Sequence, residues 1–121
     1  MSHSKAIPAV TIKRAYEPPS PDDGTRVLVD RLWPRGVKKA GAGISQWMKE
    51  IAPSNELRKW FGHDPGRWEE FRRRYKAELR QKRELVAQLR ELAKLGPLTL
   101  VYSAHDAAHN QAVVLRETLL H

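Results

Sequence analysis

Residues 97–103 read P-L-T-L-V-Y-S and, with the patterned stretch that follows them to Leu119, they decide the fold class. This segment contains β-branched and aromatic residues and predicts a strand. Asp106 is then placed to cap a helix. The apolar positions of that helix recur at helical spacing and define an inner face of Ala108, Ala112, Leu115 and Leu119. A strand that leads into a helix within about five residues is typical of an α/β protein.

Two more strands are predicted nearer the start of the chain. Residues 9–14, A-V-T-I-K-R, form the first, and the prolines and the Asp-Gly pair of residues 16–24 make the following segment a loop. Residues 26–30, R-V-L-V-D, are an apolar run of the kind found in a strand buried on both faces. That strand ends before Pro34, which has no N–H to donate to a neighbouring strand.

We therefore expect an α/β fold with a small, mainly parallel three-stranded sheet covered by helices. Residues 9–121 should form a single domain after a flexible N-terminus at residues 1–8. The connection at residues 15–25 is barely long enough for a crossover, so the first two strands could instead be antiparallel.

Helices are predicted between the second and third strands. Ser45 is expected to cap a short helix that contains Trp47 and Met48, and Pro53-Ser54 to open a second. Asp64-Pro65 should open a longer amphipathic helix. The pattern over residues 66–95 fits one long helix or two that break near Gln81-Lys82.

The chain is basic, and its excess charge is concentrated in one stretch. Its 121 residues include 22 Lys+Arg and 14 Asp+Glu, a net charge of +8. The predicted helix at residues 67–83 contains many of the cations, so it could bind nucleic acid. Glutamates interleave with them at distances of three and four residues, which favours an ion-paired face exposed to solvent.

Several classes of protein are excluded by composition or not supported by it. The chain has no cysteine, which excludes disulfides, a thiolate nucleophile, iron–sulfur clusters and cysteine-based zinc sites. No apolar run reaches the length of about 20 residues that a membrane span needs, and residues 1–5 do not resemble a secretory signal. We expect a cytoplasmic protein with no membrane association.

Polar side chains gather where the predicted strands end. Parallel strands would bring these ends to one edge, where ligands of open α/β sheets bind. Arg31 and Arg35 are candidates for binding a phosphate or carboxylate, because a guanidinium donates two hydrogen bonds in register. Asp30 could act as a general base or only orient Arg31, and a purely structural Asp–Arg network fits equally well. The other ligand-binding candidates are Trp33, Tyr102, Ser103 and Asn110.

Two further residues are candidates for acid–base chemistry beside Asp30. His63 precedes a predicted helix cap, and Asp106 lies in the segment H-D-x-x-H at residues 105–109. The two histidines of that segment have no third ligand in the sequence, so we predict no metal site. There is no glycine-rich phosphate loop and no G-x-S-x-G, and no cofactor is indicated.

The longer motifs resemble a known family. They are R-V-L-V-D-R-L-W-P-R-G at 26–36, W-M-K-E-I-A-P-S-N-E-L-R-K-W-F-G-H-D-P at 47–65, R-W-E-E-F-R-R-R-Y-K-A-E-L at 67–79, and T-L-V-Y-S-A-H-D at 99–106 with H-N-Q-A-V-V-L at 109–115. Together they resemble the domain-of-unknown-function 488 family, in its YeaO-like branch. The resemblance implies a small cytoplasmic α/β protein of bacteria or archaea, and it implies no reaction.

The resemblance also implies a set of motif positions. They fall on Asp30, Arg31, Arg35, Ser54, Arg58, His63, Asp64, Tyr75, Glu78, Tyr102, Asp106 and Asn110. His105 departs from the family pattern, in which lysine is common, and this further reduces the case for a metal-binding histidine pair.

The leading functional hypothesis is that the protein binds an anionic, phosphate- or nucleotide-like small molecule at the carboxyl ends of its strands, with turnover left open. The alternative is a nucleic-acid-binding or protein-interaction adaptor that uses the basic helix at residues 67–83. A structural interaction protein with a tryptophan-rich partner surface is a third hypothesis. The oligomeric state is open, and a dimer is compatible with the sequence.

Overall fold

Four parallel strands form the sheet of this protein, in a computed structural model that describes residues 9–121. The strands are β1 (Val10–Arg14), β2 (Thr25–Leu28), β3 (Gln46–Trp47) and β4 (Leu98–Tyr102), and their order in the sheet is β1-β4-β2-β3. The helices are α1 (Asn55–Phe61), α2 (Trp68–Arg80), α3 (Arg83–Leu95) and α4 (Gln111–Leu120). The predicted flexible segment at residues 1–8 lies outside the described residues.

Strand β4 is the centre of the sheet. It pairs with β1 from Val10 opposite Leu98 to Arg14 opposite Tyr102, and it pairs with β2 along its other edge. All five of its residues are buried, as expected for a strand enclosed by its neighbours and covered by helices. The α/β class and the parallel sheet are confirmed. Strands β1 and β2 do not pair with each other, and both run parallel to β4.

The prediction of three strands is wrong, because the sheet has a fourth. Gln46 and Trp47 pair in parallel with Val27 and Leu28. The short helix predicted here is therefore also wrong, and the Ser45 hydroxyl accepts a hydrogen bond from the N–H of Arg26 instead of capping a helix. Two residues are too few to show the alternating pattern by which a strand is recognised.

The helix boundaries follow local capping. Ser54 caps α1 by accepting from the N–H of Leu57 at 3.1 Å, and Gly62 ends it in the left-handed conformation with φ of 54°. Residues 66–95 contain two α-helices, α2 and α3, which break at residues 81–82. Asp64 caps the single 3₁₀ turn that leads into α2.

The start of the last helix differs from the prediction. Asn110, not Asp106, caps α4 by accepting from the N–H groups of Ala112 and Val113 at 2.9 and 3.2 Å. Ala108 consequently lies in an exposed loop. The other three predicted inner positions of this helix are buried, and α4 packs against β1 and β4.

A buried turn at residues 51–54, I-A-P-S, connects the short β3 region to α1. The phenolic hydroxyl of Tyr75, which is fully buried, donates to the carbonyl of Ile51 at 2.7 Å. The N–H and the hydroxyl of Ser54 donate to the two carboxylate oxygens of Glu78 at 2.9 and 2.6 Å. Because Tyr75 and Glu78 lie on α2, these contacts attach the turn to that helix.

The two middle carbonyls of the same turn also bind side chains. Lys82 donates to the carbonyl of Ala52 at 2.8 Å. Arg31, which follows β2, donates to the carbonyls of Ala52 and Pro53 at 3.3 and 3.4 Å. Buried backbone groups without hydrogen-bond partners destabilise the folded state, so these side chains allow the turn to be buried.

Removal of the Tyr75 hydroxyl should test how much the turn contributes to stability. We expect Tyr75→Phe to lower the free energy of unfolding by about 1–3 kcal/mol, because it leaves the buried Ile51 carbonyl without a donor. Urea denaturation measures this loss. Tyr16→Phe, at an exposed tyrosine, is the matched control and should cost much less. Equal losses in the two variants would contradict the role of the turn.

Candidate functional site

A cavity of about 380 Å³ opens at the carboxyl ends of β2 and β4. Its walls come from the loop after β2, the 51–54 turn, the end of α1, and the loop that leads from β4 into α4. Ligand pockets of α/β proteins lie at this end of the sheet, and this volume is in the range of small-molecule sites. The predicted residues that line the cavity are Asp30, Arg31, Trp33, Arg35, His63, Ser103 and Asn110.

Asp30 is the buried carboxylate of the cavity. One of its oxygens accepts from the N–H and the hydroxyl of Ser103 at 3.0 and 2.5 Å, and the other accepts from the side-chain amide of Gln111. Burial raises the pKa of Asp30 above its ordinary value, although the hydrogen bonds from Ser103 and Gln111 and the nearby His63 oppose this. Asp30 thus joins the end of β2 to the end of β4 and to the start of α4.

Three arginines line the cavity, and they are bonded differently. Arg31 donates to the 51–54 turn and lies 3.7 Å from Glu50, so much of its hydrogen-bonding capacity is used within the fold. Neither Arg35 nor Arg58 has a carboxylate within 4 Å among residues 9–121. The cavity therefore has two exposed cations without an anionic partner in the described chain.

Two histidines add polar groups to the lining. His63 has a positive φ of 58°, an uncommon conformation for a residue other than glycine. The Nδ1 atom of His109 is 2.8 Å from an Asp106 oxygen. That contact and the N–H of Ala108 hold the pKa of Asp106 below its ordinary value. An ionised carboxylate only accepts, so Nδ1 of His109 is the donor in this contact.

Aromatic rings form the apolar part of the lining. Phe61 and Phe71 are buried and stacked, with centroids 4.3 Å apart. Trp33 is half-buried, donates from Nε1 to the carbonyl of Val37 at 2.6 Å, and meets Trp47 edge-on. The stacking of Trp33 on a ligand stays a prediction.

Tyr102 and Asn110, which the sequence predicts as ligand-binding residues, are held mainly by contacts within the fold. Tyr102 is 2% exposed and packs in the core, away from the cavity lining. The amide of Asn110 is engaged at both ends, because its oxygen caps α4 and its nitrogen donates to the Asp106 carbonyl at 2.8 Å. These contacts do not favour direct binding by either residue, and both assignments stay predictions.

Sequence reasoning missed Gln111 and His109 as residues of this cavity. Both lie near the start of α4, which the sequence placed about four residues too early. The sequence did contain a signal for the later start of α4, because Asn110, four residues after Asp106, is also a good capping residue. Arg58 was included only among the positions implied by the family resemblance.

The basic helix α2 is mostly ion-paired. Arg73 and Arg74 bind Glu70 at 2.5 and 2.6 Å, and these two arginines lower the pKa of that carboxylate to about 2. Arg72 and Lys76 bind Glu117 of α4 at 2.8 and 3.3 Å. These contacts agree with the expectation of an ion-paired, solvent-exposed face.

Within residues 9–121, no group of three or more histidine, aspartate and glutamate side chains is arranged to hold a metal ion. No helix in the same part of the chain combines the length and the hydropathy needed to cross a membrane.

Comparison with known proteins gives a consistent result. The model of a family described as "Inactive DUF488-N3 subclade" matches residues 9–121. The chain is 46% identical over 110 residues to "Uncharacterized protein YeaO" of Escherichia coli, which is 91% of this chain and 96% of that protein. It is 44% identical over 110 residues to "Uncharacterized protein Rv3073c" of Mycobacterium tuberculosis, or 91% and 92% of the two chains. No solved structure matches significantly.

The buried Asp30 should leave a signature in the pH dependence of stability. Below its ordinary pKa of 3.8, the carboxyl is protonated in both the folded and the unfolded chain. As the pH rises, the unfolded chain ionises first, because burial raises the pKa in the folded state. The ionised form therefore lowers the stability of the native protein relative to Asp30→Asn, until the pH passes the folded-state pKa.

We expect the free energy of unfolding of Asp30→Asn, minus that of the native protein, to grow from about pH 4 towards neutral pH and then to level off. Urea titrations at a series of pH values measure this difference. Asp22→Asn, at an exposed carboxylate, is the control for general charge effects. A difference that shrinks over the same range would mean that the hydrogen bonds to Asp30 outweigh its burial.

Proposed function

The chain belongs to the family described as the Inactive DUF488-N3 subclade, as a YeaO-like protein, and from this we propose that it binds an anionic, phosphate- or nucleotide-like small molecule in the cavity at its strand ends. The word inactive in the family description supports binding without turnover. Catalysis by Asp30, His63 or Asp106 is not needed for this function, and those assignments stay predictions.

The observation that carries the proposal is the pair of cavity arginines without anionic partners in the described chain. Arg58 has only a long contact of 3.5 Å, with the Asn55 side chain, and the Arg35 guanidinium has no hydrogen bond among residues 9–121. Among the residues that line the cavity are three arginines and one carboxylate, that of Asp30. A bound anion would balance this excess of positive charge, and the planar guanidinium fork suits phosphate.

The surroundings of these arginines also suit a small anionic ligand. The buried rings of Phe61 and Phe71 give the lining an apolar part, as is usual in small-molecule sites. His63 and His109 add polar ring nitrogens to the same lining. Arg31, which the sequence predicts as an anion ligand together with Arg35, donates to the carbonyls of the 51–54 turn, and its role as a ligand stays a prediction.

Nucleic-acid binding or a protein-interaction role for the basic helix stays the alternative. Ion pairing within α2 and with Glu117 reduces the number of cations available to a phosphate backbone. If this alternative holds, binding of short DNA or RNA will fall steeply as salt is raised. A cytoplasmic location and dimer formation likewise stay predictions.

The proposal predicts which variants lose binding. We expect Arg35→Ala and Arg58→Ala each to weaken binding of inorganic phosphate or adenosine 5′-monophosphate by about tenfold or more, because a hydrogen bond between charged groups contributes about 1.5–3 kcal/mol. The double variant should show no measurable binding. A thermal-shift screen of nucleotides, sugar phosphates and carboxylates selects the conditions, and isothermal titration calorimetry at low salt measures the dissociation constants.

Matched controls separate this effect from general charge. Lys59→Ala removes a positive charge from the same helix as Arg58, and Lys38→Ala does so near Arg35, but neither lysine lines the cavity. Both controls should bind like the native protein. A folded double variant that keeps full affinity for the tested anions would exclude this site.

A further inference from the structure

The side-chain amide of Gln111 lines the cavity and is oriented by a hydrogen bond to a carboxyl group. Gln111 is the first residue of α4, and its side chain is half-buried. Its amide nitrogen donates to an oxygen of Asp30. The nitrogen of this amide thus faces Asp30, and its oxygen faces away from that carboxyl group.

The Gln111 side-chain oxygen is left as an accessible acceptor. It receives no hydrogen bond within residues 9–121, although the nitrogen of the same amide is paired. This oxygen is not buried. Among the described residues, the one buried side-chain nitrogen or oxygen without a hydrogen-bond partner is Nε of Arg26. An unpaired oxygen that remains accessible, on a residue of the lining, can accept a hydrogen bond from a ligand.

Two neighbouring groups strengthen this polarity. Ser103 uses its hydroxyl proton to bind Asp30, so its oxygen has only lone pairs to offer a ligand. The N–H of Ser103 also donates to Asp30, and the Asn110 amide nitrogen donates to the Asp106 carbonyl. We call Asp30, Ser103 and Gln111 the acceptor wall, because oxygen atoms predominate among its polar side-chain atoms, whereas the side chains of Arg35 and Arg58 offer only donors.

We propose, resting on the anion site argued above, that the ligand is a phosphate ester of a hydroxylated carbon skeleton, whose hydroxyl groups donate to the acceptor wall through Gln111. A bare phosphate or an alkyl phosphate would satisfy the arginines and leave the wall without donors. A polar site that holds an unmatched ligand loses the hydrogen bonds that it had with water. The cavity of about 380 Å³ is large enough for a phosphorylated pentose.

The test compares two esters of equal charge and carbon number. Ribose 5-phosphate has hydroxyl donors and pentyl phosphate has none on its chain, so calorimetry with both isolates the contribution of the wall. We expect ribose 5-phosphate to bind at least tenfold more tightly to the native protein. Adenosine 5′-monophosphate, in a third titration, distinguishes a nucleotide from a free sugar phosphate as the source of the same chemistry.

The variant Gln111→Met keeps the length of the side chain and removes its amide. It should weaken the binding of ribose 5-phosphate by about tenfold, leave pentyl phosphate unchanged, and so abolish most of the selectivity. Gln88→Met, on the exposed face of α3, is the control and should retain full selectivity. If Gln111→Met does not fold, the affinities of the native protein for the two esters still test the role of the acceptor wall.

Each outcome is distinguishable. Equal affinity of the native protein for the two esters, or an equal loss of both in Gln111→Met, overturns the role of the acceptor wall and leaves the anion site standing. If the native protein binds none of inorganic phosphate, the two esters and the nucleotide, the proposed function itself fails, and the role of the wall fails with it.

Discussion

The rest of the structure depends on the hydrogen bonding of the buried turn at residues 51–54. A chain segment can pass through the interior only if its backbone polar groups find partners. Here Tyr75 and Glu78 of α2 and Arg31 after β2 supply most of them. Since α1 starts directly after the turn, these contacts also fix the wall of the cavity that contains Arg58. Tyr75, Glu78 and Arg31, which are motif positions with polar side chains, thus support the walls of the cavity.

The cavity combines two kinds of polarity that a single ligand can satisfy. Arg35 and Arg58 offer cationic donors, whereas the acceptor wall of Asp30, Ser103 and Gln111 offers mainly oxygen acceptors. The two sets do not neutralise each other, because neither arginine has a carboxylate within 4 Å among residues 9–121. A cavity of this kind selects its ligand by the arrangement of donors and acceptors, and its positive charge alone would not give that selectivity.

The sequence was sufficient to predict the elements whose signal is local. The apolar runs of β2 and β4 indicated buried parallel strands, and their polar ends correctly located Asp30 and Ser103 at one edge. Strand β3 was missed because its two residues pair only through tertiary contact. The cap of α4 was misplaced for a related reason: packing of the helix against β1 and β4 decides between Asp106 and Asn110, and that contact is not visible in the local sequence.

The position of β4 between β1 and β2 has a consequence for the order in which the molecule acquires its structure. The strand synthesised last is the one that holds the two earliest strands in a common sheet, so these strands have no mutual pairing before it arrives. Partners such as Val10 and Leu98 are separated by most of the chain, and contacts of such long range slow folding. During translation, β1 and β2 therefore lack their common partner until β4 has left the ribosome.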